Sequence, residues 1–304
     1  MIPLIQATTP PMTCSQFEDC ENTTILSIIT VVYNDLPGLV RTIQSVHSLL
    51  GSEAVEHIVI DGSSTPDVKD FLVEKSIGFP KMIWKSEPDK GLYDAMNKGL
   101  KAAIGKFVIF MNAGDKFSSK FSFDMFKRYA FADGGNHVVI GRSLEVYLND
   151  AYVRPALGAE AKIFSMPPHQ ATFYPVKFYS SNEYKLDKPV GADGDFTGRA
   201  LDQCGGVFLP CVVCEFELGG RSSSYGNFRQ LMVRHREATS VKAQIKLLLK
   251  AFLWLIIGQK NLYRVLAVGK YTRISKSEYS ASLDIAPHKK IIRQPTAKII
   301  GSSS

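Results

Sequence analysis

The sequence predicts an α/β protein: a mostly parallel sheet with flanking helices, followed by an amphipathic helical region toward the C-terminus. Three observations predict it. Short runs of β-branched and apolar residues alternate with helical patterns through four strands, the connections are short, and two runs end in a carboxylate. A strand that delivers an acidic residue at its C-terminal end is how open α/β sheets place ligand chemistry.

Leu26–Val32 (LSIITVV) reads as the first strand, being rich in β-branched residues. Asn34-Asp35-Leu36-Pro37 supplies a cap and an early proline for a helix reaching about Leu50. Glu56–Ile60 is the second strand, ending in a turn at Asp61-Gly62-Ser63-Ser64. Asp67–Lys75 reads as a helix, Lys81–Lys85 as the third strand and Leu92–Ile104 as a helix. Phe107–Met111 is the fourth strand, broken off by Asn112-Ala-Gly-Asp115. Beyond it the order loosens: a helix over Ser122–Phe131, strands at Val138–Gly141 and Glu145–Leu148, and a loop carrying Pro167, Pro168, His169 and Gln170. A helix over Asp193–Leu201 and a strand over Val207–Phe216 follow, closed by Leu218-Gly-Gly-Arg-Ser-Ser-Ser224.

Val241–Ile257 is predicted as a helix in which Lys242, Lys246 and Lys250 line one stripe and apolar residues, Trp254 among them, fill the remainder. Two readings fit. The helix lies in a headgroup region, or it docks on the rest of the protein with its lysines outward. Residues 1–24 read as an irregular leader, 25–235 as the main domain, 236–274 as the basic helical region and 275–304 as a flexible tail.

Composition bounds the function classes. At 304 residues, with 45% hydrophobic and 21% charged residues, the chain can bury a sizeable core. The 36 Lys and Arg against 29 acids give +7, and from Ser240 onward only Glu278 and Asp284 are acidic. That region suits an anionic surface. Without a basic stripe interleaved with exposed aromatics, a membrane is expected and no nucleic acid. Five cysteines do not make a secreted disulfide framework, and Cys211 and Cys214 read as buried free thiols. No basic segment followed by an apolar one opens the chain, and no apolar run reaches 18 residues. A cytoplasmic protein held peripherally on the inner face of a membrane is therefore expected.

The chemistry gathers at strand ends. After Val32 the sequence Tyr33-Asn-Asp-Leu-Pro-Gly38 lacks G-x-G-x-x-G, and no G-x-x-x-x-G-K-[ST] occurs, which removes dinucleotide and P-loop sites. What remains is Asp61 after the second strand and Asp115 after the fourth, converging on one sheet edge. Asp61 can accept from a base N–H or a ribose hydroxyl, and Tyr33 can stack on the base. Asp115 can face a diphosphate through a divalent cation, since hard oxygen ligands suit Mg²⁺ or Mn²⁺.

Ser27-Ile-Ile-Thr-Val-Val-Tyr-Asn34, Ile58-Val-Ile-Asp-Gly-Ser-Ser64, Asp89-Lys-Gly-Leu-Tyr-Asp-Ala-Met-Asn-Lys-Gly99 and Asn112-Ala-Gly-Asp115 together resemble family 2 glycosyltransferases with the GT-A fold. That fold has a Rossmann-like sheet. Within the family the closest likeness is to the bacterial branch that builds colanic acid, capsule or O-antigen. The resemblance covers roughly Leu26 to Ser224. It implies inverting transfer of a sugar from a nucleotide-diphosphate donor, a UDP-hexose, to a hydroxyl of a glycan or lipid-linked acceptor. It places Tyr33, Asn34, Asp61, Asp94, Asn97 and Asn112 on the donor side. Such enzymes commonly carry D-x-D after the fourth strand, whereas here Asn112 and Gly114 occupy the two Asp positions, so a metal carboxylate is Asp115 or comes from elsewhere in the chain.

Gly191-Ala-Asp-Gly-Asp-Phe-Thr-Gly-Arg199 resembles the family's acidic segment, which puts the general base at Asp193 with Asp195 as the alternative. Both can equally cap the helix. His169 and Gln170 fall in the acceptor-side loop, where a packed histidine is the competing reading. Arg221 lies in the segment that closes over the diphosphate, or is a solvated arginine. Two other functions are weighed. One is a catalytically inactive nucleotide-sugar-binding or assembly protein of the same fold, favoured by the altered D-x-D. The other is a sugar nucleotidyltransferase, disfavoured because no basic Gly-rich loop follows the first strand.

Overall fold

The computed structural model describes residues 23–50, 54–132, 134–147, 150–154, 166–187, 191–217, 228–237, 240–267 and 272–274. Strands β1 (Leu26–Val32), β2 (Val55–Asp61), β3 (Met82–Ser86) and β4 (Phe107–Phe110) alternate with helices α1 (Leu36–Leu50), α2 (Asp67–Ser76) and α3 (Leu92–Ala102). β1 pairs in parallel with β2 on one side and β4 on the other, and β2 pairs in parallel with β3. This half follows the predicted strand and helix order.

The second half is a mixed sheet. It comprises β5 (Lys116–Phe117), α4 (Phe123–Ala130), β6 (Val138–Tyr147), β7 (Asp150–Arg154), β8 (Thr172–Pro175), α5 (Val176–Tyr179), α6 (Ala192–Cys204) and β9 (Gly206–Glu217). The described chain ends in α7 (Phe228–Glu237), α8 (Val241–Ala267) and β10 (Thr272–Ile274). The strand order is β10-β7-β6-β8-β4-β1-β2-β3, with β9 running beside β6 and β5 beside β9. β8 joins the halves by pairing antiparallel with both β4 and β6.

Each face of the parallel half is covered because its residues alternate. Ile29, Val31, Ile58 and Ile60 pack under Met96 and Leu100 of α3 and Phe196 of α6. Val32 and Val59 point the other way, onto Leu39 and Ile43 of α1 and Val68 and Leu72 of α2. Strands buried on both faces explain the near-continuous apolar runs.

Several elements depart from the sequence reading. The two strands expected at 138–141 and 145–148 are one, β6, whose register with β9 shifts around Arg142. Arg142 is buried and its guanidinium lies 5.3 Å from the Phe208 ring, so a residue that looked like a turn sits inside the sheet. β5, β7, β8 and α7 were not expected from the sequence. The predicted end of the last helix at Ile257 falls beside Gly258, whose φ of 73° interrupts α8. The leader through residue 22, the closing turn at 218–224 with Arg221, and the tail from 275 lie outside the described residues. Cys211 and Cys214 are free thiols. Cys214 is buried as expected, whereas Cys211 is only half-buried, and burial pushes the Cys211 thiol up to about 12.

Candidate active site

The site is assembled where β1, β2 and β4 end together. Val32 is in register with Asp61, and Asp61 with Ser86, so three strands deliver their last residues along one edge. Beyond β4 the chain stays on β1: Met111 N–H donates to Ile29 O at 2.8 Å and Ala113 N–H to Val31 O at 3.1 Å. This brings Asn112–Asp115 beside Tyr33 and Asn34.

Tyr33 is 60% exposed at this edge. Asn34, with φ 52°, is the non-glycine residue in the left-handed region among the described residues. Its strain is balanced by bonds: its N–H donates to Ser63 Oγ at 2.9 Å, and its Oδ1 accepts from Ser64 N at 3.0 Å. Asp61 is 1% exposed, and its carboxylate accepts from Ser63 N at 2.9 Å and Ser86 Oγ at 2.8 Å. It therefore organises the ends of β2 and β3. Gly62 is required here, because a Cβ would sit 1.8 Å from Asp89 Oδ2. Asp89 in turn accepts from Gly91 N at 2.7 Å.

The first turn of α3 bears two polar groups with separate tasks. Asp94 accepts from Lys90 N at 3.0 Å, holding the 88–91 loop, and faces Lys98 at 3.6 Å. Tyr93 points the other way and donates from Oη to Asp193 Oδ1 at 3.2 Å, while Gly191 N–H donates to Tyr93 Oη at 3.2 Å. Burial, then the Asp193 charge, raises the Tyr93 pKa, so the phenol remains a proton donor. Asn97 is buried, with its amide closed on the main chain of Tyr184: Nδ2 donates to Tyr184 O at 2.9 Å and Oδ1 accepts from Tyr184 N at 2.7 Å. The Tyr184 ring stacks on Tyr93 (5.4 Å) and on Phe196 (4.1 Å), so Asn97 braces the aromatic wall behind Asp193.

Asn112 and Asp115 are held from below by Thr42 of α1. Its Oγ1 donates to Asp115 O at 2.6 Å and accepts from Gly114 N at 3.0 Å. From above, a 3-10 turn over His169–Ala171 reaches the same segment. Gln170 Nε2 donates to Asp115 Oδ2 at 3.1 Å, and His169 Nε2 lies 3.2 Å from Asn112 Nδ2. Burial pushes the Asp115 carboxyl up to about 6, opposed by the charge of His169 and the Gln170 amide. Among the described residues no group of three or more His, Cys, Asp or Glu side chains gathers for a metal. One half-buried carboxylate does fit a cation that shares its ligands with a substrate's phosphates and water.

Asp193 and Asp195 both sit in the first turn of α6, which the left-handed Gly191 opens at φ 87°. They face different surroundings. Asp195 accepts from Arg199 Nε at 3.1 Å and lies 3.5 Å from Lys185. Asp193 faces Tyr93 and the His169 ring, with His169 Nδ1 at 3.7 Å from its Oδ2. That separation is a charge contact rather than a hydrogen bond. Burial alone raises the Asp193 pKa, but the facing His169, the Gly194 N–H and the Tyr93 hydroxyl bring it down to about 2. Asp193 is thus ionised at neutral pH, with the His169 ring between it and Asn112. Thr42, Tyr93 and Ser86 were missed by the sequence reading. Tyr93 lay within a quoted motif, yet its partner is 100 positions away.

A nucleotide-sugar-type edge, an acidic helix start and a turn in the place of D-x-D define a glycosyltransferase of the GT-A class. A family model described as Glycosyl transferase family 2 matches residues 27–190, and the chain belongs to that family. An uncharacterized glycosyltransferase of Mycobacterium tuberculosis (strain H37Rv) is 34% identical over 225 residues, covering 69% of this chain and 84% of that protein. A PGL/p-HBAD biosynthesis glycosyltransferase of Mycobacterium bovis (strain BCG) is 29% identical over 182 residues, covering 56% and 68% respectively. Among solved structures, the mannosyltransferase PcManGT from Pyrobaculum calidifontis, in complex with GDP-Man and Mn²⁺, aligns with a TM-score of 0.50 at 14% identity, covering 93% of this chain and 80% of its own. TarS of Staphylococcus aureus aligns with a TM-score of 0.50 at 14% identity, covering 70% of this chain, which spans 39% of TarS. These likenesses establish the fold.

Proposed function

We propose that the chain transfers a hexose from a UDP-sugar, with inversion, to a hydroxyl of a glycan or lipid-linked acceptor in surface polysaccharide assembly of the colanic acid, capsule or O-antigen kind. The observation that carries this is the placement of an ionised Asp193, gripped by Tyr93 and faced by His169, across from the Asn112–Asp115 turn. Tyr33, exposed at the end of β1, supports stacking on the base. The Asp61 carboxylate, which accepts two bonds, keeps lone pairs for the nucleoside, Asn34 holds the 63–65 turn beside it, and Asp94 shapes the loop over it. Arg221 is assigned to the closing segment on the resemblance alone.

In this reading Asp193 takes the acceptor hydroxyl's proton as that oxygen bonds to the anomeric carbon. The anomeric C–O bond to the diphosphate breaks on the opposite face, and its electron pair leaves with the nucleotide. An attacking hydroxyl becomes strongly acidic as the new bond forms, so a carboxylate of low pKa suffices as base. Asp195, occupied by Arg199 and Lys185, is assigned to holding α6. His169 and Gln170 line the acceptor side. A Mg²⁺ or Mn²⁺ ion at Asp115, when bound, supplies positive charge to the departing diphosphate; PcManGT is a fold neighbour whose structure holds Mn²⁺.

The test is nucleotide release from a panel of UDP- and GDP-sugars with Mn²⁺ or Mg²⁺. Asp193→Asn is expected to lower transfer by roughly 10²-fold or more, and full activity in that variant overturns the assignment. The altered D-x-D favours a second reading, a nucleotide-sugar-binding protein without turnover. Binding of a donor by calorimetry with no release across the panel establishes that reading instead.

We also place the C-terminal helices on an anionic membrane. Phe228 of α7 packs against Trp254 of α8 at 5.7 Å, leaving Val241, Ile245, Leu248, Leu249, Phe252, Leu255 and Ile256 exposed along one face. From Val241 to Ala267 there are five cations and no acid. A second copy laid on that face brings like charges together, whereas anionic headgroups neutralise them. None of the described helices is long and apolar enough to cross a membrane. The proposed division is a catalytic domain over 25–235, a basic membrane-facing region over 236–274 and a tail from 275.

A further inference from the structure

The residue that replaces the first Asp of D-x-D has its side-chain nitrogen on His169, and the far side of that ring faces Asp193. The His169 ring is 8% exposed, is held edge-on by Phe110 at 6.2 Å, and has little freedom to turn. Its two nitrogens therefore meet two fixed neighbours. Nε2 faces the Asn112 amide at 3.2 Å and Nδ1 faces the Asp193 carboxylate at 3.7 Å. An amide N–H can only donate, so with the amide in this orientation Nε2 offers its lone pair and the ring proton sits on Nδ1. That places N–H toward a carboxylate, the favourable pairing; the other tautomer sets a lone pair against a negative charge.

The Asn112 Oδ1 atom is buried with no hydrogen-bond partner among the described residues, so turning the amide over exchanges a donor for an acceptor facing the ring. In that orientation it accepts from Nε2–H, and the ring then carries Nδ1–H only as the cation. An aspartate at 112 accepts only, and it commits the ring to the cation. The charged side chains whose fields reach the ring are Asp193 on α6 and, through the neighbouring Gln170, Asp115.

The geometry points to Asn112 acting through His169 as a positioning pair for Asp193, with asparagine in place of aspartate so that a neutral ring can present its Nδ1–H to the carboxylate. This rests on the reading of Asp193 as the base for its catalytic meaning, but not for the placement of the proton. Asn112 is accordingly assigned to the ring rather than to a metal.

The experiment is a two-bond ¹H–¹⁵N spectrum of the full-length chain labelled with ¹⁵N-histidine, at pH 8, with His169 assigned from its absence in His169→Gln. The expected result is a protonated Nδ1 and a bare Nε2 for His169. Asn112→Asp is expected to protonate both nitrogens, and Asn112→Leu to raise the share of the Nε2–H form while Asp193 still favours Nδ1–H. A native His169 carrying its proton on Nε2 overturns the proposal, as does an unchanged pattern in both variants. The kinetic arm uses whichever panel donor is turned over. His169→Leu is expected to lower kcat roughly tenfold with donor KM unchanged, and His169→Gln, which donates to Asp193 and accepts from Asn112, to recover most of it. A KM effect without a kcat effect overturns the positioning role. If Asp193→Asn keeps full transfer while the spectrum shows Nδ1–H, the base assignment falls and the proton placement stands.

Discussion

Thr42 illustrates how a residue without chemistry of its own fixes those that have it. Its hydroxyl joins α1 to the carbonyl of Asp115 and the N–H of Gly114. Thr42→Val keeps the shape and removes both bonds, leaving buried polar groups unpaired. It is expected to destabilise the fold by about 1–3 kcal/mol in urea denaturation and to weaken donor binding more than acceptor binding. His57 offers a second residue-level test. Burial, with the charge of His47, lowers its pKa to about 3, so the folded chain excludes a proton that the unfolded chain binds near 6.5. Its contribution is complete above that value and is lost as pH falls toward 3, at about 1.4 kcal/mol per pH unit. The stability of His57→Asn, measured from pH 7 to 4, is expected to fall less steeply than that of the native chain by this slope. Comparing the two removes the opposing contribution of Asp115. Asp61, Asn97 and Asp193 can be singled out from the sequence by position, but what each one touches cannot. Asn97 closes on Tyr184 and Asp61 on Ser63 and Ser86, contacts that no spacing along the chain reveals.

At the scale of elements, legibility followed burial pattern. β1, β2 and β4 matched within a residue because strands covered on both faces are apolar runs between turn residues, and β3, the edge strand, matched within a residue although its burial alternates. β8 was hidden by its shortness, four residues ending in Pro175, and β6 was split by Gly141-Arg-Ser143. There Gly141 admits Val213, whose Cγ2 lies 2.3 Å from where a Cβ would stand, so the glycine marks close strand approach rather than a turn. Gly62 is a comparable contact at the cleft. Gly62→Ala drives a methyl into Asp89, and the expected outcome is a displaced 88–91 loop. The check is donor affinity by calorimetry, lowered by roughly tenfold or more, while the melting temperature shifts by only a few degrees.

For the molecule as a whole, the parallel half carries the strand-end edge with Tyr33 and Asp61, the mixed half carries Asp193 and the His169 turn, and α7 and α8 add a basic pair. Truncation after Ser240 is expected to abolish sedimentation with vesicles of phosphatidylglycerol while leaving nucleotide release in solution intact. Equal sedimentation of both chains refutes the membrane assignment. Replacing Lys242, Lys246 and Lys250 with glutamate is expected to weaken vesicle binding by about 1 kcal/mol or more per residue, and to do so less at high salt.

The opening turn of α3 has one more consequence. Asp94 steadies the 88–91 segment and Tyr93, its neighbour, holds Asp193, so in the proposed mechanism one piece of backbone serves both the donor side and the acceptor side. A nucleotide that quiets that segment also quiets the partner of the carboxylate, and the second ligand then meets a pocket already in order. Occupancy by UDP should therefore sharpen acceptor affinity, and by thermodynamic reciprocity an acceptor should slow UDP escape to the same degree at equilibrium.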